Sequence, residues 1–319
     1  MDDPIAAKQE APNAAPATRS LPPRPQATAL TAMSPEQALA RKQERERKDA
    51  LIRGVTSIHE MREALKRASR ALPGISTMSA VPRVAMPDAA AFRARAAQGL
   101  PFVISGLVGK WPLCALTPHT LRERFGTLPV RARVGDYINT AFAADRAMQD
   151  MSLLAYLEWV ANDPQDLPPY VGNVELRELN TLCHWPGYFK KMGPPRFWLG
   201  PAGTVTPLHC DYDDNIFAQI WGSKRIFLSP PHHDEFLYPR EANAILFGSP
   251  FDPEAPDFEQ FPLARQAAMI ECVMQPGELL YVPAGWYHQV RSLTFSLSAN
   301  RWARAMPLVL NGDPALKAD

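Results

Sequence analysis

The chain is short of cysteine, of net charge and of long apolar runs. Its four cysteines, Cys114, Cys183, Cys210 and Cys272, are scattered and form no Cys-x-x-Cys pair. A disulfide-stapled secreted fold does not fit them, and a reduced, cytoplasmic setting is expected. The formal net charge is +1, too small to steer the chain toward nucleic acid. Residues 1–80 carry four more basic than acidic side chains, and residues 81–319 three more acidic than basic. Neither excess names a partner. No stretch of 18 apolar residues occurs, so no membrane span is expected. The acidic opening Met1-Asp2-Asp3-Pro4 leads into no apolar segment, so no secretory signal is expected either.

Proline, by contrast, is abundant: there are 33, gathered in the first 30 residues and in later loops. Residues 1–33, rich in Pro, Ala and Thr without a hydrophobic period, read as a disordered tail. Ser34-Pro35-Glu36-Gln37 then supplies a cap, a first-turn proline and a capping-box partner. Residues 34–77 read as a long charged amphipathic helix, with Leu51, Val55, Ile58, Leu65 and Leu72 forming one apolar stripe. Glu44 with Lys48 and Glu63 with Arg67 support it at i,i+4 spacing. Such a stripe suits packing on the chain's own core, and equally a self-association arm through residues 34–72 that would make a homodimer.

Residues 78–319 read as one catalytic domain. Asp88 caps a helix that stops at Gly99, Thr117-Pro118 opens another through Phe125, and Ser152 caps a third to about Asn162. Leu100 to Leu107 reads as a buried strand. From Pro169 the texture changes to short apolar strands broken by Gly, Pro and Asn. A mainly β core over about 169–303 with a helical front is expected. Asn215–Trp221 and Lys224–Ser229 read as a hairpin about Gly222-Ser223. Leu279–Pro283 and Tyr287–Ser292 flank the turn Pro283–Trp286. Thr294 to Trp302 alternates, with Ser296, Ser298 and Asn300 on one face and Phe295, Leu297 and Ala299 on the other, so the polar face is a candidate pocket lining. His232-His233, after two prolines, reads as a solvated loop.

The chemistry is carried by His209-Cys210-Asp211 and, 77 residues after Asp211, by His288. Residues two apart on a strand share a face, so His209 and Asp211 can act together while Cys210 points away. Two imidazoles and a carboxylate form the facial ligand set of non-heme Fe(II) oxygenases, which leaves positions open for a co-substrate and O₂. Lys224, 13 residues past Asp211, offers a cation at the back of such a pocket, and Thr206 offers a hydroxyl. A dicarboxylate such as 2-oxoglutarate needs that pairing: its 2-oxo acid chelates the metal and its far carboxylate meets the ammonium.

The run Gly203-Thr-Val-Thr-Pro-Leu-His209-Cys-Asp211 through Asn215, Gly222-Ser-Lys224 and Pro231 resembles the core of the cupin-like JmjC hydroxylases, and among them the asparaginyl hydroxylase branch. Pro276-Gly277-Glu-Leu-Leu-Tyr-Val-Pro-Ala-Gly285-Trp286-Tyr287-His288 resembles the family's second ligand motif, and Ser298-Ala299-Asn300-Arg301-Trp302 the strand after it. Pro101 to Pro112 resembles the opening strand and loop. The resemblance covers roughly residues 80–303. It implies a double-stranded β-helix, the jelly-roll form of a cupin. It implies His209, Asp211 and His288 as the catalytic iron ligands, and Lys224, Thr206 and Tyr170 around the far carboxylate of 2-oxoglutarate. Asn215 and Asn300 match pocket amides. The implied activity is hydroxylation of a C–H bond with release of succinate and CO₂, on a protein or peptide side chain. Val171 to Leu176 does not match the asparaginyl hydroxylase's substrate-contacting residues, so asparagine specificity is not implied. The same chemistry on a small molecule or RNA base, and a non-catalytic metal-binding scaffold, are the alternatives. Lysine demethylation is ranked lower, because no reader module or aromatic cage is visible.

Overall fold

The computed structural model describes residues 58–143, 146–243 and 246–305. Helix α1 (Ile58–Ala71) and a single turn, α2 (Pro73–Ser76), precede β1 (Arg83–Ala85), α3 (Ala89–Ala96) and β2 (Phe102–Ser105). Then come α4 (Pro118–Phe125), β3 (Pro129–Arg133), β4 (Met148–Ser152), α5 (Leu153–Asn162), β5 (Tyr170–Val174) and α6 (Arg177–Asn180). Ten more strands follow among the described residues: β6 (Arg196–Gly200), β7 (Val205–Asp211), β8 (Asp214–Trp221), β9 (Lys224–Ser229) and β10 (Arg240–Asn243), then β11 (Leu246–Gly248), β12 (Ile270–Met274), β13 (Leu279–Val282), β14 (Tyr287–Ser292) and β15 (Ser296–Ala303).

The three helix starts expected from capping residues are present. Asp88 accepts from the amides of Ala90 and Ala91, Thr117 and Thr120 form a reciprocal capping box, and Ser152 accepts from the Ala155 amide. Each satisfies amides that a helix start otherwise leaves bare. Gly99, at φ 68°, takes the left-handed conformation that ends α3.

The strands form two sheets with orders β1-β2-β13-β8-β15-β6-β5-β3-β4 and β10-β11-β7-β14-β9-β12. This is the double-stranded β-helix, with all pairings antiparallel except β1 on β2. One face of the larger sheet packs beneath the helices around Phe92, Phe102, Leu121, Tyr156, Ile216, Ala218 and Tyr281. The opposite face, with Phe217, Leu280 and Val282, looks toward the second sheet.

Two turns differ from their expected role. The strands β8 and β9 are not paired with each other but lie in different sheets, so Gly222-Ser223 is a corner that carries the chain across the sandwich. Gly222 sits at φ 64°, and a Cβ there would fall 2.2 Å from the Phe295 carbonyl oxygen, so only glycine fits. Likewise β13 and β14 belong to different sheets, and Pro283–Trp286 is a crossing between them. Trp286 is fully buried and donates its indole N–H to the Gly99 carbonyl at 2.9 Å.

Helix α1 stops at Ala71, two residues before Pro73, as a proline's steric demand on its predecessor requires. It buries Met61, Ala64, Leu65 and Ala68, with Leu72 packed behind them, in the chain's own core. Arg62 Nε donates to Asp234 at 2.8 Å, and Tyr287 donates to the same carboxylate at 2.7 Å. Over the described residues the apolar stripe is therefore already covered. The tail at 1–33 and the part of the expected helix at 34–57, which a self-association arm would need, lie outside the described residues. His232 and His233 are not a solvated loop: both are half-buried in a 3₁₀ turn, Pro231–Leu237. His232 Nδ1 is 2.7 Å from Ser69 Oγ, and His233 Nδ1 accepts from the Ala268 amide. No helix among the described residues is long and apolar enough to cross a membrane.

Candidate active site

The site forms where β7 and β14 run side by side, with His209 directly opposite His288. Strand alternation turns His209 and Asp211 to the same side, while Cys210 goes to the opposite, apolar face, where it is buried. Thr206 is an odd number of residues from His209 and on a regular strand would face away. The register slips by one residue between the His288–His209 and Val290–Thr206 pairs, a bulge on β7 at Pro207-Leu208. Proline has no N–H to lose there. The bulge returns Thr206 to the cavity, so both residues line it.

One ligand atom from each of His209, Asp211 and His288 lies within 4.8 Å of the others. Neither histidine has freedom to choose its tautomer. His209 Nδ1 is 2.7 Å from the Pro207 carbonyl and His288 Nδ1 is 3.1 Å from the Trp286 carbonyl. A carbonyl only accepts, so each Nδ1 carries the proton and each Nε2 keeps its lone pair. Burial, with the neighbouring His288, holds His209 well below the usual imidazole range, so it is neutral. Asp211 is pushed up by burial, opposed by His288 and by the Trp302 indole N–H, which donates to Oδ2 at 2.8 Å. Two imidazole lone pairs and a carboxylate, aimed at one point and already supported from behind, fit a divalent transition metal.

A cavity of about 180 Å³ opens beside these three residues. Tyr170, Thr206, Asn215 and Asn300 line it, as do the apolar side chains of Phe217, Ile226, Leu280, Val282 and Val290. Lys224 is wholly buried behind that lining, with Nζ 3.3 Å from the Tyr170 hydroxyl and 5.6 and 5.7 Å from the Tyr170 and Phe217 ring centres. Burial pushes its ammonium down to about 7, and pushes the Tyr170 phenol up to about 12. The Thr206 hydroxyl reaches the same phenol. Asn300 donates to Asn215 at 3.0 Å and accepts from the Trp198 indole at 2.8 Å. All eight residues singled out from the sequence thus converge on one cavity or its back wall.

Sequence reasoning missed several others. Trp302 closes the motif Ser298–Trp302, and nothing in that motif marks it as the donor to Asp211. Phe142 packs 5.2 Å from the His209 ring. Trp198 lines the cavity. Arg133 also lines it, almost fully buried, with its guanidinium 5.2 Å from the Trp198 ring and 5.7 Å from that of Tyr170. Its Nε and Nη1 have no hydrogen-bond partner. The only sequence signal was that Arg133 follows the inward-facing Ala132 at the end of a strand whose other arginine, Arg131, is exposed and paired with Asp150.

Comparison with known proteins gives the family. Residues 88–307, more than half of the chain, match the model of the cupin-like domain. The chain is similar to Lysine-specific demethylase JMJ30 of Arabidopsis thaliana, 40% identical over 133 residues, which is 42% of this chain and 27% of that one. Lysine-specific demethylase 8 of Xenopus tropicalis is 42% identical over 105 residues, 33% of this chain and 24% of that one. The human Bifunctional peptidase and (3S)-lysyl hydroxylase JMJD7 is 28% identical over 166 residues, 44% of this chain and 50% of that one. The chain thus spans half or less of the length of these relatives. Fold, ligand triad and matched span agree, and the chain belongs to the cupin-like, JmjC-type domain family, whose cofactors are Fe(II), 2-oxoglutarate and O₂.

Proposed function

We propose that the protein is a Fe(II)- and 2-oxoglutarate-dependent oxygenase that hydroxylates a C–H bond of a protein side chain. The observation that carries this is the pairing of two features in one cavity. Three metal-ligating atoms stand within 4.8 Å of one another, and a wholly buried lysine stands behind the same lining. An unpaired buried ammonium is costly unless an anion arrives to meet it.

In this reading His209, Asp211 and His288 hold the iron. The carbonyls of Pro207 and Trp286 hold the imidazoles in the metal-binding tautomer, and Trp302 keeps one oxygen of Asp211 from swinging. Lys224, Tyr170 and Thr206 hold the far carboxylate of 2-oxoglutarate. The asparagine pair, braced by Trp198, lines the space between. Iron and O₂ supply the oxidation: one oxygen atom enters succinate as 2-oxoglutarate loses CO₂, and the other replaces the substrate's C–H with C–OH. Phe217, Ile226, Leu280, Val282 and Val290 exclude water, so that the charges present act at low dielectric.

A lysine N-methyl group is also a C–H donor, and its hydroxylation begins a demethylation. That outcome ranks lower on the sequence alone, but two of the relatives above are named as demethylases and one as a lysyl hydroxylase. Demethylation is therefore the second reading, and it shares every residue assigned here.

The test is an anaerobic titration of 2-oxoglutarate into the Fe(II)-loaded protein, followed by the visible charge-transfer band of the chelate. The band is expected in the wild type, absent in His209→Ala and weakened in Lys224→Ala. Bound iron without any band would overturn the oxygenase reading in favour of a non-catalytic metal-binding scaffold.

A further inference from the structure

The oxygenase reading uses Lys224 but leaves a second buried cation without work. Arg133 is 4% exposed, lines the cavity, and has two guanidinium nitrogens, Nε and Nη1, with no partner. Among the described residues no carboxylate lies within ion-pair distance of it. Arg146, on the same cavity wall, has a buried Nε that is also unpartnered, although its Nη1 donates to the Ala143 carbonyl at 3.2 Å. The one carboxylate lining the cavity among the described residues is Asp211, and it is turned to Trp302 and the metal ligands. An arginine stays charged in proteins, so its burial calls for an anion.

The fold makes room for this guanidinium. A Cβ on Gly172 would stand 3.0 and 3.1 Å from two ring carbons of Trp198 and 3.3 Å from Arg133 Cζ. A side chain at position 172 would press on both, so glycine there leaves the space in which Arg133 lies against Trp198. That stack holds the planar fork of donors still, as recognition of a planar carboxylate requires. Lys224 and Arg133 are distinct stations. The lysine lies beneath Tyr170 and Phe217, out of the lining, whereas the arginine forms part of the lining beside Trp198.

We infer that Arg133, assisted by Arg146, receives a substrate carboxylate, so that the side chain hydroxylated is an acidic residue of a protein. This rests on the oxygenase reading and adds the substrate class to it. A cationic side chain, lysine or arginine, would have to enter a cavity whose wall carries the Arg133 and Arg146 guanidinium groups and, among the described residues, no carboxylate but Asp211, so this inference sets the demethylation reading aside. Like-charge desolvation of that kind excludes a ligand as effectively as a clash.

The probes are capped heptapeptides of Gly and Ser with one central Asp, Glu, Asn, Lys or Arg, together with free aspartate and free glutamate. Binding is measured anaerobically to the protein loaded with Mn(II) and 2-oxoglutarate, and succinate release is measured separately with Fe(II) and O₂. The expected result is that a capped Asp or Glu peptide binds about tenfold or more tighter than Asn, the size of one charge-assisted hydrogen bond, with Lys and Arg weaker still. Arg133→Gln is expected to erase that preference and Arg133→Lys to restore part of it, with the 2-oxoglutarate charge-transfer band unchanged in both. A preference for the free amino acids over the capped peptides would overturn the protein-substrate part, and no preference for acid over amide would overturn the whole inference. So would an Arg133→Gln variant that loses 2-oxoglutarate affinity tenfold, because the arginine would then belong to the co-substrate. Failure of the oxygenase reading itself is separate: the wild-type band would be missing.

Discussion

Replacing Lys224 with methionine should stabilise the protein while abolishing 2-oxoglutarate binding. Lys224 is buried to zero exposure, its one hydrogen bond among the described residues goes to Tyr170 at 3.3 Å, and burial takes its ammonium from an ordinary 10.5 to about 7. Below pH 7 the lysine is protonated in both folded and unfolded chains, so the folded state carries the whole penalty for the buried charge. That drop in pKa corresponds to roughly 5 kcal/mol. Between pH 7 and 10.5 the unfolded chain holds more protons than the folded one, so stability rises with pH and the penalty shrinks toward zero. Methionine fills the same volume without a charge. It forfeits the bond to Tyr170, worth about 1 kcal/mol. The net gain should be about 2–4 kcal/mol at pH 6.5 and should fall to nothing near pH 10. Urea unfolding of apo wild type and Lys224→Met at pH 6.5, 8 and 9.5 measures it. A variant less stable than wild type at pH 6.5, or a gain that does not change with pH, would refute the reasoning.

Three further outcomes follow from the same geometry. Binding of 2-oxoglutarate at pH 8.5 should take up close to one proton, because the arriving carboxylate restores the charge that burial removes from Lys224; calorimetry in buffers of different ionisation enthalpy reads the uptake, and Lys224→Met should abolish it. Trp302→Phe removes the donor to Asp211 Oδ2 and should weaken metal affinity by about 10- to 100-fold in a competition titration, with the far-ultraviolet spectrum unchanged. Leu65→Ala should cost about 2–5 kcal/mol, since Leu65 is 1% exposed and a Cβ on Gly285 would stand 2.8 Å from its Cδ1. That contact seats α1 on the turn that delivers His288, so the variant should also lose iron affinity on chemical unfolding at lower denaturant than the rest of the sheet.

The parts of this molecule legible in its sequence are those fixed within a few residues. Asp88, Thr117 and Ser152 cap helices through amides two or three positions away, and the pattern is complete in the local string. His209 and Asp211 share a face because a strand repeats every two residues. The corners are not legible for the same reason. Gly222-Ser223 has the chemistry of a hairpin turn, and nothing local says whether the next strand pairs with the last or crosses to the other sheet. That choice is made by β15 and β12, which pair with β8 and β9 from far along the chain.

Arg133 was illegible on both counts. Strand β3 reads as alternating, with Val130 and Ala132 turned to the helices and Arg131 to solvent, so Arg133 should also be wet. It is dry because Tyr170 lies opposite it on β5, and Trp198 closes over it from β6. The same face of one strand is thus solvent at Arg131 and cavity at Arg133, two residues apart. Arg131 meets its anion on the neighbouring strand, in Asp150, and costs the fold little. Arg133 meets none among the described residues. A cation buried there without an anion costs the fold free energy, and the substrate carboxylate inferred above would offset that cost. Arg133 lines the same cavity as His209, Asp211 and His288, so a carboxylate that met it would stand beside the three candidate metal ligands.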